Sequence, residues 1–246
     1  MFDSTTLFVV AVLVLGGFVK GVIGLGLPAI SMGLLATAMP PAEAATILIV
    51  PSVVTNLWQM ATGPQLSAIA RRLWPCMAGV VVGTLAGAGW LTGGGARYGT
   101  ALFGVTLAVY AILGLASIRF AVSRSTEVWL GPITGVATGL LTAATGVFAI
   151  PAVPYLQAIG LEKEDLVQAL GLSFTVSTLA LAVNLASVSA LGVSHMPIAV
   201  TALLAACVGM VIGQLLRLRL SPVVFRKVFF AGLLALGFYL TLRAIF

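Results

Sequence analysis

The chain alternates long apolar runs with short interruptions made of single charges and of Gly/Pro clusters. Dividing it at those interruptions predicts ten helical segments, at about 5–19, 21–38, 43–62, 74–92, 98–116, 128–144, 146–160, 166–188, 196–216 and 228–245. Residues 128–161 and 166–216 contain no Asp, Glu, Lys or Arg. Stretches of that length are read as membrane spans, at about 20 residues per crossing. Two of the apolar runs are too long for one crossing. As a continuous helix, residues 5–38 would measure about 50 Å at 1.5 Å per residue against a hydrocarbon core of about 30 Å, and 128–160 has a similar excess. Each is expected to break or fold back.

The break in the first run is written into Gly16-Gly17-Phe18-Val19-Lys20-Gly21-Val22-Ile23-Gly24-Leu25-Gly26-Leu27-Pro28. Glycines let the backbone turn and leave N–H groups bare, and a half-helix restarting after them aims the positive end of its dipole at the gap. In a membrane, such a break is tolerated only where protein or a water-filled cavity covers the freed groups. The stretch is therefore a candidate substrate site. Its counterpart in the second run, residues 135–151, repeats the four-residue glycine spacing, with Gly135 and Gly139 matching Gly17 and Gly21. There the break is expected near Thr145-Gly146.

Charge decides how the runs cross. If both long runs return, one side of the membrane collects Lys20, Arg71, Arg72, Arg119, Arg124, Lys163, Arg217, Arg219, Arg226 and Lys227, and the other only Arg97 and Arg243. If each crosses once, the bias disappears. The rule that basic residues gather on the cytoplasmic side selects the first arrangement. It puts both termini outside and the loops 64–73, 117–127, 161–165 and 217–227 in the cytoplasm. It also divides the chain into two repeats of opposite orientation, residues 1–124 and 125–246, of five segments each, with the first two of each short and broken. Trp74-Pro75 followed by Gly79, Gly83 and Gly87 parallels Met196-Pro197 followed by Thr201, Ala205 and Gly209. Small residues at this spacing make a narrow ridge for close helix packing, and their recurrence is evidence of duplication.

Composition narrows the class. Of 246 residues, 61% are hydrophobic and 7% charged, against about 25% charged in soluble domains. This is an all-α polytopic membrane protein without a soluble domain. The net charge of +6 arises from residues placed singly or in pairs between apolar segments, as in loop anchors, so a nucleic-acid partner is set aside. The start lacks the positive region of a secretory signal, so the first apolar segment is expected to be retained. Cys76 and Cys207 lie inside spans without metal-site spacing, and the single histidine, His195, falls in a loop. No metal, cofactor or catalytic constellation is expected, and the chain is not read as an enzyme.

The candidate binding residues follow from the breaks. Two broken hairpins of opposite orientation bring their tips together near the midplane, where Lys20, the backbone at Gly21, Gly24, Gly26 and Gly146, and the Thr142 and Thr145 hydroxyls would hold an oxyanion. Two other readings stay open. The glycines serve close helix crossing and the threonines bond their own backbone, or Lys20 snorkels to the cytoplasmic surface instead of standing inside the membrane. Asn56, Gln59 and Gln157 are amides inside apolar segments and must face protein, with Asn56 and Gln59 placed on a helix that Pro51 kinks.

Lys20-Gly21-Val22-Ile23-Gly24-Leu25-Gly26, Met39-Pro40-Pro41-Ala42-Glu43-Ala44-Ala45 with Asn56-Leu57-Trp58-Gln59 beyond it, and Pro154-Tyr155-Leu156-Gln157-Ala158-Ile159-Gly160-Leu161 resemble the sulfite exporter TauE/SafE family of permeases. The likeness covers essentially the whole chain. It departs from the commoner Gly-Gly-Gly form of the first motif, having Gly-Leu-Gly-Leu-Pro. The resemblance implies a permease of a bacterial inner membrane that moves a small anion, such as sulfite, sulfoacetate or another organosulfonate, by alternating access. Its partners would be that anion and the lipid bilayer, with a homodimer left open. The alternatives are a metal or cation carrier, disfavoured because no acidic residue lies deep in a span, and a membrane scaffold subunit that transports nothing.

Overall fold

The computed structural model describes residues 4–93, 96–116, 121–191 and 196–245, and these hold ten helices and no strand. His195 and Arg119 lie outside the described residues, as does the Arg97 side chain. The helices are α1 (Ser4–Ile23), α2 (Leu27–Leu35), α3 (Pro41–Ala61), α4 (Leu66–Ala86), α5 (Ala96–Ala116), α6 (Arg124–Thr145), α7 (Ala152–Ala158), α8 (Lys163–Ser187), α9 (Met196–Leu216) and α10 (Pro222–Ile245). Seven of them, α1, α3, α5, α6, α8, α9 and α10, are long and apolar enough to cross a membrane. α4 has 21 residues, but Arg71 and Arg72 in its second turn lower its apolarity and it is not among the seven. Large apolar side chains cover the outside, as a lipid-facing surface requires: Val128 is 74% exposed and Leu215 72%.

Two expectations are corrected. The first segment of each half is not short: α1 has 20 residues and α6 has 22, and only α2 and α7 are brief, at 9 and 7 residues. Gly16, Gly17 and Gly21 lie inside α1, and Gly135 and Gly139 inside α6. Helical glycine costs about 1 kcal/mol relative to alanine, and here close backbone contact offsets it. A Cβ on Gly17 would stand 2.1 Å from the Ala206 carbonyl oxygen, and one on Gly135 would stand 2.0 Å from that of Cys76. Neither space exists, so α1 lies against α9 and α6 against α4 with backbones nearly touching.

The second correction concerns boundaries and register. α4, α6, α8 and α10 begin at residues 66, 124, 163 and 222, earlier than their apolar runs, because their first two turns carry the charges that mark loops. Acidic residues suit those turns, and Glu127, Glu164 and Asp165 sit in them. Stretches 64–73 and 217–227 are therefore partly helix. Pro75 is interior to α4, whereas Pro197 is in the first turn of α9, so proline spacing misaligns the two helices. Contacts align them: Gly17 meets Ala206 as Gly135 meets Cys76, Gly21 meets Met210 as Gly139 meets Val80, and Gly213 meets Phe18 as Gly83 meets Val136. Gly79 and Gly83 thus answer Gly209 and Gly213 rather than Thr201 and Ala205.

Between the two crossed pairs, α3 and α8 pack on each other, α3 also on α9 and α8 also on α4. α5 and α10 pack chiefly on one another and reach the remainder mainly where α5 touches α6 and α10 touches α2 and α1.

Candidate functional site

The first chain break is narrow. After Ile23, Gly24 and Gly26 take φ of 79° and 105°, values that side-chain-bearing residues rarely adopt, and α2 restarts with Pro28 in its first turn. The second follows Thr145: Gly146 takes φ of 73°, the Thr145 hydroxyl accepts the Val147 N–H at 3.2 Å, and the chain runs without helix until α7. These breaks meet. Leu25, Gly26, Pro28 and Ala29 from one, and Val147, Phe148 and Ala149 from the other, line a single cavity closed by Tyr110 and Phe174. Its volume is about 10 Å³, space for one water molecule.

Beside it lies a cavity of about 980 Å³. Val22, Ile23 and Leu25 carry the end of α1 into its wall, and Val153, Pro154 and Gln157 carry α7. Among the described residues, the cations Lys163, Arg217 and Arg226 line it and no Asp or Glu does. A concave wall of one charge sign concentrates ions of the other. Leu25 and Tyr110 belong to both cavities, so they form the partition between this basic vestibule and the junction of the breaks. Phe230 backs the tyrosine from the vestibule side, ring to ring at 5.2 Å and nearly edge-on.

The residues singled out from sequence separate into three groups. Gly24, Gly26 and Gly146 form the breaks, and Gln157 lines the vestibule. Lys20 lines neither cavity: it is in the last turn of α1, 4% exposed, and its ammonium donates to Asn56 Oδ1 and to Thr55 Oγ1 at 3.1 Å. Asn56 passes the connection to Thr178 at 3.4 Å, tying α1 to α3 and α8. Gln59 donates to the carbonyls of Gly24 at 2.9 Å and Val167 at 3.1 Å, bracing the first break from α3. Gly21 is covered by the α9 backbone. The Thr142 and Thr145 hydroxyls donate to the carbonyls of Thr138 and Leu141, four residues back on their own helix.

Sequence reading names one further residue only as an amide facing the protein interior, and misses another. Gln168 donates to the carbonyls of Met60 and Gly63 and accepts the Gln65 N–H, closing the exposed end of α3. Tyr110 is 4% exposed, and its hydroxyl has no hydrogen-bond partner among the described residues. The available signal was a phenol inside an apolar segment. Among the described residues no cluster of His, Cys, Asp or Glu suits a metal ion.

The family model described as sulfite exporter TauE/SafE matches residues 9–240. No curated protein and no solved structure matches the chain. The match reaches all ten helices, both breaks and the vestibule, in a multi-pass protein with seven described helices long and apolar enough to cross a membrane. This chain belongs to the sulfite exporter TauE/SafE family of membrane transporters.

Proposed function

We propose that the protein carries a small oxyanion, sulfite or an organosulfonate, across a bacterial inner membrane by alternating access, entering or leaving through the basic vestibule. One observation carries this reading: a large cavity lined, among the described residues, by three cations and no carboxylate ends on the place where two broken helices meet. The start of α2 borders that junction, and a helix N-terminus presents free N–H groups and about half a positive charge. The site residues in this scheme are Gly24, Gly26 and Gly146 as the backbone of the junction and Gln157 as a vestibule amide. Lys20, Asn56 and Gln59 hold the first break in place, and Thr142 and Thr145 shape the end of α6.

The duplicated crossing contacts of α1 on α9 and α6 on α4 support two repeats, residues 1–124 and 125–246. The basic residues gathered at the ends that line the vestibule support an inverted arrangement with that face in the cytoplasm. A cation carrier fits poorly, since three cations line the entrance. A scaffold subunit would need no such cavity. The test is uptake and efflux by proteoliposomes with labelled sulfite, organosulfonates, carboxylates and a cation control. Saturable flux of a sulfur oxyanion, absent from empty liposomes, is the expected result. Flux of the cation alone would overturn the proposal.

A further inference from the structure

We infer that Tyr110 is the inner gate of the pathway and that its hydroxyl is a ligand of the transported anion, a role that rests on the oxyanion reading above. The junction between the breaks has about 10 Å³, enough for one water and too small for any sulfur oxyanion. Something in its wall must therefore move for substrate to enter. Among the described residues only Leu25 and Tyr110 line both the junction and the vestibule, so these two side chains stand in the partition. Leu25 stands between Gly24 and Gly26 in the first break, where Gln59 holds the Gly24 carbonyl at 2.9 Å. Tyr110 belongs to α5, which packs chiefly on α10, and this pair reaches the other helices mainly at α6, α2 and α1, so the pair carrying Tyr110 and Phe230 is the part of the wall assigned to move.

The chemistry of the wall points the same way. Leu25, Gly26, Pro28, Ala29, Val147, Phe148, Ala149 and Phe174 offer no polar side chain. Tyr110 alone brings one, a buried hydroxyl without a partner among the described residues. Native interiors rarely leave such a group unmade, and those that do often reserve it for a ligand. Next to it stands the N-terminal turn of α2, whose orientation also favours negative charge. A phenol O–H and a helix N-terminus together suit an oxyanion.

Two variants separate the parts of the inference. Tyr110→Phe keeps the ring and removes the donor. With a hydrogen bond to a charged acceptor worth about 1.5–3 kcal/mol, it should raise the half-saturation concentration for the transported anion on the order of ten- to hundred-fold. Tyr110→Ala, with Leu25→Ala as a second route if the first does not fold, should open the partition. In a background with Cys76 and Cys207 replaced by Ala, a cysteine at Ala149 should then react much faster with an impermeant thiol reagent, applied in turn to each face, than in the background alone. An unchanged half-saturation in Tyr110→Phe would overturn the ligand role, since a hydroxyl satisfied only by a lodged water would behave that way. Unchanged labelling in both alanine variants would overturn the gate. Labelling needs no substrate, so a wild-type protein that moves none of the tested anions would overturn the oxyanion reading while the gate was still being read.

Discussion

At Lys20 the sequence supplies a position and the structure supplies a task. An ammonium amid glycines in an apolar run leaves two readings open, an interior cation or a lysine snorkelling to the surface, and in the structure it is buried. Its partners were not legible, because Thr55 and Asn56 are on α3 and Thr178 on α8, and spacing along one segment says nothing about which face another helix presents. The same limit hid Gln168, whose acceptors Met60 and Gly63 belong to a different helix end. The geometry makes Lys20 a brace. Lys20→Met should leave the Asn56 and Thr55 oxygens short of a donor and lower stability by about 1–3 kcal/mol, while Lys20→Gln, which keeps an N–H, should lose less. The measurement is the unfolding midpoint in detergent for the two variants, with anion half-saturation read alongside. A large rise in half-saturation without loss of stability would return Lys20 to the binding site.

Among elements, the long apolar runs predicted helices correctly and the Gly/Pro clusters predicted breaks, yet the breaks occupy only part of each cluster. In α1, Gly16, Gly17 and Gly21 are packing residues while Gly24 and Gly26 turn the chain. Sequence alone cannot separate these uses, since both ask for a missing Cβ, one for φ and the other for room. A paired substitution separates them experimentally. Gly160 has φ of 69° with nothing within 4 Å of an added Cβ, so Gly160→Ala should cost only the left-handed penalty of about 1–2 kcal/mol. Gly26→Ala meets the same kind of penalty and also places a Cβ 2.9 Å from the Phe229 ring and 3.0 Å from Val19. It should therefore be the more destabilising of the two, and should disturb transport as well, because Gly26 lines the junction. Equal unfolding midpoints for both variants would show that the Phe229 ring yields freely.

For the molecule as a whole, the membrane class and the family were legible, and the helix starts were not, because charges at the membrane edge were read as loop. Arg72 shows what those charges do. From α4 it grips Glu127 of α6 with two bonds, of 2.6 and 2.9 Å, and also donates to the Ile159 carbonyl at the end of α7. The side of the membrane on which this face lies is testable at Ser67, an exposed residue in the first turn of α4. Ser67→Cys should react with an impermeant thiol reagent only when the cytoplasmic face is offered. Labelling from the periplasm would reverse the assigned orientation.

The buried charges of the described interior come down to one lysine, tied to Thr55 and Asn56, with no buried carboxylate. This sets the electrical character of transport. A carrier built to exchange protons against its cargo ordinarily keeps an acid in the pathway, and among the described residues none lines either cavity. A monovalent anion that crosses without a compensating proton feels the whole transmembrane voltage. At about 2.3 kcal/mol per charge per 100 mV, an inside-negative cell would expel such an anion to a ratio of about forty- to fifty-fold. In proteoliposomes, efflux should therefore follow an imposed potassium diffusion potential and be insensitive to an imposed pH gradient, so that a voltmeter, rather than a pH electrode, reports the driving force.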